Sequence, residues 1–276
     1  MVAFINDRFM KLEDAHLHIS DLSIQRGYAA FDFLRTLDFK PLFIDDYLER
    51  FFRSIELLQL NTEFNKQQVK KIIHQLIEKN NLPVSGIRMM MTGGYSPGGY
   101  EPATPNLVIT QQILQVPPTD DLKPGIKVIT YEYQRDLPRI KSINYLVGVW
   151  LQQKVKEKNA ADVLYYKNNL VTEFPRSNIF IVSKQGELIT NEKNILEGIT
   201  RKKVLELAAD KFSVRIKDIT LDEIKNAAEV FMTSTTKRIL PVIQVDETLI
   251  NQGQVGQMTK ALHLSFLSFE KKMINF

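Results

Sequence analysis

The sequence predicts a mixed α/β protein with two domains. The chain has 276 residues and 44% apolar content, enough for a sizeable core. Strand-like and helix-like segments are interspersed without a strict strand–helix–strand repeat. The segment 116–125 is rich in proline and glycine and is the best candidate for a linker. We therefore expect a smaller N-terminal α/β domain over 1–115 and a larger C-terminal domain over 126–276.

The N-terminal domain is expected to combine several strands with two helices. Apolar residues recur at helical spacing in 45–58, behind Asp45 as the N-cap, and again in 66–79. The segments that read as strands are 3–10, 16–19, 31–39, 40–44, 86–92 and 106–110. The loop 93–102 is rich in glycine and proline, which is typical of a mobile hairpin end and equally of an active-site lid.

The C-terminal domain is expected to begin with a strand and then to mix strands with helices. A strand is predicted over 126–131, a helix over 145–158, and another helix from Arg201. Strand pairs are predicted around 162–167 and 170–182. Two further strand–helix passages end the chain, and no internal repeat is recognisable.

Composition excludes several kinds of chemistry. Without cysteine, the chain has no disulfide, no thiolate nucleophile and no cysteine-ligated zinc. His16 and His18 have strand spacing but lack a third ligand, so we expect no metal site. The net charge of +4 is spread along the chain without a basic tract that would indicate nucleic acid binding. Because no leader peptide and no apolar segment of membrane-spanning length is recognisable, we expect a soluble, cytoplasmic protein.

Two residues have the chemistry to hold opposite ends of an aromatic aldehyde cofactor. Lys141 lies in the stretch 137–146, and Glu173 follows a turn and precedes an apolar strand in 169–182. A lysine amine can form a Schiff base, and a carboxylate can keep a ring nitrogen protonated. This pairing is the chemistry of pyridoxal 5′-phosphate (PLP), although a single lysine is more often a solvated side chain.

Three further segments offer groups that bind phosphate. Arg50 and Arg53 lie one turn apart on the first predicted helix, so one can face a pocket while the other lies at the surface. Gly198 and Thr200 stand at a helix start, where free N–H groups and the helix dipole favour an anion, although an ordinary capped helix looks the same. The hydroxyl run Thr233–Thr236 follows an apolar strand and forms either a turn or a set of donors.

Taken together, these motifs resemble the fold-type IV, or class IV, PLP-dependent transaminases. That family includes branched-chain amino acid transaminases, D-amino acid transaminases and aminodeoxychorismate lyases, and the resemblance covers nearly the whole chain. The motifs that carry it are Lys141-Ser-Ile-Asn, Val171-Thr-Glu with Ser177-Asn-Ile-Phe, Gly198-Ile-Thr-Arg, and Thr233-Ser-Thr-Thr with Pro241-Val. The resemblance implies a small N-terminal domain, a larger C-terminal domain with a β-barrel-like core, and a homodimer.

The resemblance also implies a role for individual residues. Lys141 would form the internal aldimine with PLP and shuttle the proton between the substrate Cα and the cofactor. Glu173 would pair with the pyridinium nitrogen. The phosphate and the phenolic oxygen of the cofactor would be held by Arg50, the backbone of Ile199 and Thr200, the Thr235 hydroxyl, and Tyr145. Loops of the partner subunit would complete the substrate pocket.

The motifs are most similar to the D-amino acid branch, but one feature of that branch is missing. Its best-known members trap the substrate α-carboxylate with an Arg-x-His pair, at positions where this chain has Gly98 and Tyr100. A carboxylate in a partly desolvated site needs a cationic partner. The residues expected to bind the substrate instead are Arg26, Arg88, Thr236 and Lys237, with Arg35 and Arg176 as alternatives.

The principal expectation is therefore a transaminase that moves the amino group of a D-amino acid, such as D-glutamate or D-alanine, to a 2-oxo acid by a ping-pong mechanism. The first alternative is an L-branched-chain amino acid aminotransferase, and the second is a 4-amino-4-deoxychorismate lyase. A non-catalytic binding protein with the same fold is the remaining alternative. The presence of both Lys141 and Glu173 argues against it.

Overall fold

The computed structural model describes residues 1–114, 122 and 124–274. Most of the predicted linker, residues 116–121 and 123, lies outside the described residues. The described chain separates into two compact units. The first unit contains the residues up to 114 together with the short segment Ile140–Asn144, and the second contains 124–139 and 145–274. The segment that carries Lys141 therefore packs with the N-terminal unit, although the sequence assigned it to the C-terminal domain.

The N-terminal unit is built on a six-stranded sheet. Its strands are β1 (Val2–Ile5), β2 (Arg8–Lys11), β3 (Ala29–Leu37), β4 (Lys40–Pro41), β5 (Ser85–Thr92) and β6 (Leu107–Ile113). They lie in the order β2-β1-β6-β5-β3-β4, and all neighbours are antiparallel. Strand β3 is almost completely buried, which makes it the centre of this unit's core.

The N-terminal unit contains three α-helices, of which the second and third pack on its sheet. They are α1 (Leu22–Arg26), α2 (Ile44–Leu57) and α3 (Lys66–Asn80), with a 3₁₀ turn at Leu12–Asp14. Helix α2 packs on β3. It begins one residue before Asp45, the predicted N-cap, so that Asp45 and Asp46 lie in the first turn. Acidic side chains are favoured anywhere in that turn by the helix dipole, which explains the shifted boundary. Helix α3 has a capping box formed by Asn65 and Gln68.

The C-terminal unit is built on a ten-stranded mixed sheet that forms a half-barrel. Its strands are β7 (Ile126–Glu132), β8 (Asp162–Lys167), β9 (Leu170–Val171), β10 (Asn178–Val182), β11 (Leu188–Thr190), β12 (Val214–Ile216), β13 (Ile219–Thr220), β14 (Glu229–Ser234), β15 (Arg238–Val245) and β16 (Thr248–Leu249). The order is β12-β11-β10-β14-β15-β7-β8-β9-β13, with β16 beside β15. Strand β10 has no exposed residue, as the run Ile179–Val182 of apolar residues predicts.

The helices of the C-terminal unit differ from the predictions at two points. They are α4 (Leu146–Trp150), α5 (Gln152–Glu157), α6 (Ile199–Ala208), α7 (Leu221–Lys225) and α8 (Gln257–Ile274), with a 3₁₀ turn at Asn251–Gly253. The single helix predicted over 145–158 is divided at Leu151, and the helix predicted from Arg201 begins at Ile199. The predicted strand 170–182 is interrupted as well, and Glu173 lies in the irregular segment between β9 and β10.

The strand predicted over 16–19 does not form. The His18 ring is instead within hydrogen-bonding distance of the Ser20 hydroxyl, 2.7 Å from Nδ1, in an irregular segment that leads into a turn. A local hydrogen bond of this kind competes with strand pairing. Among the described helices, none combines the length and the apolar character needed to cross a membrane.

Candidate active site

Lys141 is held in the N-terminal unit by backbone hydrogen bonds to β3 and α2. Its carbonyl oxygen accepts the N–H of Phe31 at 2.9 Å. Its own N–H donates to the Ser54 hydroxyl on α2 at 3.2 Å, and that hydroxyl donates to the carbonyl oxygen of Arg50 at 2.9 Å. The backbone of Lys141 is therefore fixed by a strand and by a helix, which are rigid supports for a reactive side chain.

The Lys141 side chain is half-buried and lies against an aromatic ring. Its Nζ is 4.7 Å from the centroid of the Phe31 ring, and among the described residues it makes no ion pair. The guanidinium of Arg88 lies 5.2 Å from the same centroid and 5.8 Å from that of Phe33. A ring face attracts a cation without supplying a countercharge. Both cations therefore lie against the Phe31 ring, and no described acid pairs with the Lys141 amine.

Arg50 lies on the buried face of α2 and is paired with Asp32 of β3. Its Nε donates to Oδ2 at 2.9 Å and its Nη2 donates to Oδ1 at 2.7 Å. The two side chains are 5% and 0% exposed. A bidentate pair of this kind fixes the plane of the guanidinium. Arg53, one turn further along, is only half-buried, so Arg50 is the more firmly oriented of the two candidate arginines.

Glu173 is buried in the C-terminal unit, and both of its carboxylate oxygens accept hydrogen bonds. Arg135 Nε donates to Oε1 at 2.7 Å, and the N–H of Leu196 donates to Oε2 at 3.0 Å. Arg135 is in turn anchored by a bond from Nη2 to the carbonyl oxygen of Pro138 at 2.7 Å. A carboxylate oxygen can accept a second hydrogen bond, so the carboxylate is oriented and can still accept a ring N–H.

The start of helix α6 presents unpaired donors. Gly198 is its N-cap and supplies no side-chain cap. The N–H groups of Ile199 and Thr200 donate to no acceptor among the described residues, while the first hydrogen bond to the Gly198 carbonyl comes from Lys202. Free amides at a helix start, together with the helix dipole, form a site for an anion.

Two buried hydroxyls near this helix start also lack a partner within the described chain. They are those of Ser177 and Thr233, which are 5% and 1% exposed. Thr233 lies opposite Asn178 in the β10–β14 pair, and Asn178 Nδ2 donates to the carbonyl oxygen of Leu196, in the loop that leads to helix α6. Buried hydroxyls without a partner are rare, so these donors fit a bound group that carries acceptor oxygens, such as a phosphate.

The turn between β14 and β15 contains the remaining predicted residues of this unit. Thr235 is half-buried and Thr236 is exposed. The N–H of Lys237 donates to the Ser234 hydroxyl at 3.1 Å, and its Nζ donates to Asp162 Oδ2 at 2.9 Å. This salt bridge neutralises Lys237, so the residue does not present the uncompensated cation that the sequence analysis expected.

Sequence reasoning missed three residues that surround Glu173 and Lys237: Arg135, Asp162 and Tyr165. The N–H of Tyr165 donates to the carbonyl oxygen of Glu173 at 3.0 Å. Burial raises the pKa of the Tyr165 phenol strongly, and nearby Tyr133 and Asp162 raise it further. The phenol therefore keeps its proton at neutral pH and can donate a hydrogen bond. In the sequence, Tyr165 is indistinguishable from an ordinary core aromatic residue. Arg135 could have been identified, because it is a charged residue shortly before Lys141 in the chain.

The other expected substrate-binding groups lie at the surface of the N-terminal unit. Arg26 ends α1 and is exposed, and its Nη1 donates to the carbonyl oxygen of Gln25 at 3.1 Å. Tyr100 is 79% exposed. A side chain at Gly98 would come within 2.8 Å of the Glu101 carboxylate. Of the alternative cations, Arg35 is buried and Arg176, in the C-terminal unit, is exposed.

These groups match the parts of PLP by their chemistry. Lys141 offers an amine for the aldehyde, Glu173 offers an oriented carboxylate for the ring nitrogen, and the start of helix α6 offers donors for the phosphate. With the mixed α/β fold, they define a PLP-dependent enzyme.

Comparison with known families agrees. Residues 29–245 match the model of the family described as amino-transferase class IV, and the chain belongs to that family. It is a PLP-dependent transaminase, which confirms the family, the enzyme class and the cofactor predicted from the sequence.

Similar proteins cover almost the whole chain. The D-alanine aminotransferase of Bacillus licheniformis is 30% identical over 285 residues, covering 99% of this chain and all of the relative. That of Staphylococcus epidermidis is 29% identical over 272 residues, or 95% of each chain. The solved branched-chain amino acid aminotransferase from Escherichia coli has a TM-score of 0.88 at 23% identity, covering 97% of this chain and 93% of that one. This likeness confirms the predicted fold type IV.

Proposed function

We propose that this chain transfers the amino group of a D-amino acid to a 2-oxo acid in a ping-pong reaction. The observation that carries the proposal is the similarity to D-alanine aminotransferases over 95% of the chain or more. D-alanine and D-glutamate are the donors we expect, with pyruvate and 2-oxoglutarate as acceptors. The structural likeness to a branched-chain enzyme concerns the fold and does not favour an L-amino acid.

The residues described above fit PLP, and we assign them as follows. Lys141 would hold the cofactor covalently through Nζ, and Glu173 would accept a hydrogen bond from the ring nitrogen. The phosphate and the phenolic oxygen would be bound by Arg50, Ile199, Thr200, Thr235 and Tyr145. When bound, PLP supplies an electron sink that makes the Cα–H bond of an amino acid acidic.

The protein's own part in the reaction centres on the Lys141 amine. This amine removes the proton from the substrate Cα and returns a proton in the second half of the cycle. No acidic side chain among the described residues pairs with Nζ, so no salt bridge has to be broken before the amine reacts. The Phe31 ring lies beside it and limits its contact with water, and the backbone bonds to Phe31 and Ser54 restrict its position.

Arg88 is the cation that we assign to the substrate carboxylate. It lies against the ring of Phe31, as Lys141 does, and among the described residues it forms no salt bridge. Arg26 has no acidic partner in the described chain either, and it is the second candidate. Lys237 is engaged by Asp162, which favours the two arginines over it. Thr236 remains a proposed polar contact.

A half-reaction screen tests the proposed substrate. The purified holoenzyme is mixed with single D- and L-amino acids without an acceptor, and the visible absorbance of the bound cofactor is followed. We expect D-alanine and D-glutamate to bleach it, and L-leucine and L-valine to leave it unchanged. Bleaching by the L-amino acids alone would establish the branched-chain alternative. Release of pyruvate from aminodeoxychorismate without an acceptor would establish the lyase.

We also propose that the enzyme is a homodimer. Helix α4 exposes three apolar side chains, Leu146 at 76%, Val149 at 69% and Trp150 at 66%. An exposed apolar patch of this kind marks a protein interface. Light scattering on the purified protein should give twice the chain mass of 31.9 kDa. A Val149→Glu variant should shift the distribution towards the monomer, and a monomeric wild-type protein would contradict the proposal.

A further inference from the structure

A single residue, Leu196, connects two parts of the candidate site in the C-terminal unit. Its N–H donates a hydrogen bond to Glu173 Oε2 at 3.0 Å, and its carbonyl oxygen accepts a hydrogen bond from Asn178 Nδ2 at 2.8 Å. Glu173 and Asn178 are 4% and 5% exposed, so the side-chain partner of each hydrogen bond is buried, while Leu196 itself is half-buried. The backbone of Leu196 is therefore fixed on one side by the carboxylate and on the other by the carboxamide.

Gly198 extends this connection to helix α6. Its backbone is in the extended region, with φ −67° and ψ 137°, which any residue can adopt. A Cβ at this position would collide with Oδ1 of Asn178. The requirement for glycine here is therefore one of space, because the Asn178 carboxamide lies directly against Gly198. The next two residues, Ile199 and Thr200, carry the unpaired N–H groups assigned to the phosphate.

The body of helix α6 is fixed separately. Arg201 donates from Nη2 to the carbonyl oxygen of Asn191 at 2.7 Å and from Nε to the Thr190 hydroxyl at 3.2 Å. These bonds hold the helix to β11 and the residue after it. They leave the loop before the helix to be positioned by other contacts, and those of Asn178 are suited to it.

We propose that Asn178 is a positioning residue that sets the placement of the α6 start relative to Glu173. Asn178 binds the Leu196 carbonyl and fills the space beside Gly198. It thereby fixes the distance between the N–H groups that bind the phosphate and the Glu173 carboxylate that accepts a hydrogen bond from the ring nitrogen. A ligand bound at both ends depends on this distance, and errors of about 1 Å are costly in catalysis. The inference rests on the cofactor roles proposed for Glu173, Ile199 and Thr200, and it is independent of substrate stereochemistry.

The first test compares PLP with pyridoxal, which lacks the phosphate. Dissociation constants for both are measured by absorbance titration of the apoenzyme, for wild type and Asn178→Ala. We expect the preference for PLP over pyridoxal to fall about tenfold in the variant, since the phosphate donors lose their placement. Equal weakening of both ligands would overturn the proposal, because it would mean that Asn178 only stabilises the fold.

Asn106→Ala is the matched control. Asn106 is also a buried asparagine, 5% exposed like Asn178, but it lies in the N-terminal unit, where its Nδ2 donates to Asp21 Oδ2 at 2.8 Å. We expect this variant to lose thermal stability while keeping the preference for PLP. A comparable fall in that preference would show that loss of any buried asparagine has the same effect, and it would overturn the specific role of Asn178.

The second test uses Gly198→Ala alone and combined with Asn178→Ala. The single variant pushes Asn178 away from the loop, and we expect the same fall in PLP preference. In the double variant the collision is gone, so the preference should equal that of Asn178→Ala rather than the product of two losses. Independent, multiplying losses would contradict the proposal.

Hydrogen–deuterium exchange of the apoenzyme provides a readout without cofactor. Exchange of the N–H groups of Leu196 and Lys202, which donate to Glu173 and to the Gly198 carbonyl oxygen, should be faster in Asn178→Ala than in wild type and unchanged in Asn106→Ala. If wild type itself binds neither PLP nor pyridoxal, the proposed cofactor roles fail. A wild type that binds PLP, with unchanged exchange in Asn178→Ala, refutes the positioning role alone.

Discussion

The reactive amine of the N-terminal unit and the anchoring carboxylate of the C-terminal unit have opposite electrostatic surroundings, although the N-terminal unit also contains the buried Arg50–Asp32 pair. In the N-terminal unit, Lys141 and Arg88 lie against the Phe31 ring, and neither is paired with an acid among the described residues. In the C-terminal unit, Glu173 is salt-bridged to Arg135 and hydrogen-bonded to Leu196. The difference follows from the work of each group. A nucleophile must stay available for covalent chemistry, whereas a group that anchors a ring nitrogen must stay oriented.

Loss of the reactive amine should have the largest effect. Lys141→Ala should lower kcat by roughly 10⁴-fold or more, because it removes both the covalent anchor and the proton carrier. Lys154→Ala is the matched control, since Lys154 Nζ also lies over a ring, 5.0 Å from the centroid of Tyr131. Steady-state kinetics of both variants provides the measurement. Comparable losses would show that Lys141 has no special role.

Removing the charge of the anchoring carboxylate should have the next largest effect. Glu173→Gln keeps the shape of the side chain and should lower kcat by roughly 10²- to 10³-fold, because the ring nitrogen loses its ionic partner. The absorbance spectrum of the holoenzyme should change as well. Glu223→Gln, which alters a lysine-paired glutamate elsewhere in the unit, should keep both rate and spectrum. An unaltered rate in Glu173→Gln would contradict the anchoring role.

Arg135 and Arg88 should differ in their effect on stability. Arg135→Met removes the cationic partner seen at Oε1 of the buried Glu173 carboxylate and should lower the free energy of unfolding by about 3–5 kcal/mol. Arg88→Met removes only contacts with ring faces and should cost about 1 kcal/mol or less. Urea unfolding of the apoenzyme measures both. Equal losses in the two variants would remove the contrast between the units.

Arg88 should instead affect substrate affinity. In Arg88→Met we expect the Michaelis constant for D-amino acids to rise about tenfold or more, since the carboxylate loses a charge-assisted hydrogen bond. Arg176→Met, which alters the exposed arginine named as an alternative carboxylate partner, should leave the Michaelis constant nearly unchanged. If Arg88→Met keeps the wild-type Michaelis constant while Arg26→Met raises it, the carboxylate is bound by Arg26.

Acid should destabilise the C-terminal unit through His263 of helix α8, an effect we expect to be the smallest. Burial lowers the pKa of its imidazole from 6.5, and the Arg238 guanidinium lowers it further. The imidazole of His263 therefore binds a proton more readily in the unfolded chain than in the folded chain. The stability that the neutral imidazole contributes is complete above pH 6.5 and is lost as the pH falls towards the lowered pKa. Melting temperatures of wild type and His263→Leu across this range measure the effect. A loss as steep in His263→Leu as in wild type would exclude it.

Local sequence patterns determined much of the fold and the identity of the cofactor. The periodicity of 66–79 predicted a helix that the structure shows from Lys66 to Asn80, because an amphipathic face and a capping box are local properties. The motifs around Lys141 and Glu173 predicted a PLP enzyme, because the chemistry requires an amine and a carboxylate. The strand predicted over 16–19 does not form, since a turn competes with strand pairing there.

Only the tertiary structure decided which charges are compensated. The Lys237–Asp162 salt bridge joins residues 75 positions apart, and Arg135 reaches Glu173 across 38. The packing of Ile140–Asn144 on β3 in the N-terminal unit, and of Asn178 against Gly198, likewise depends on how distant segments meet. Such contacts are set by strand pairing and side-chain packing across the chain, which local periodicity does not encode.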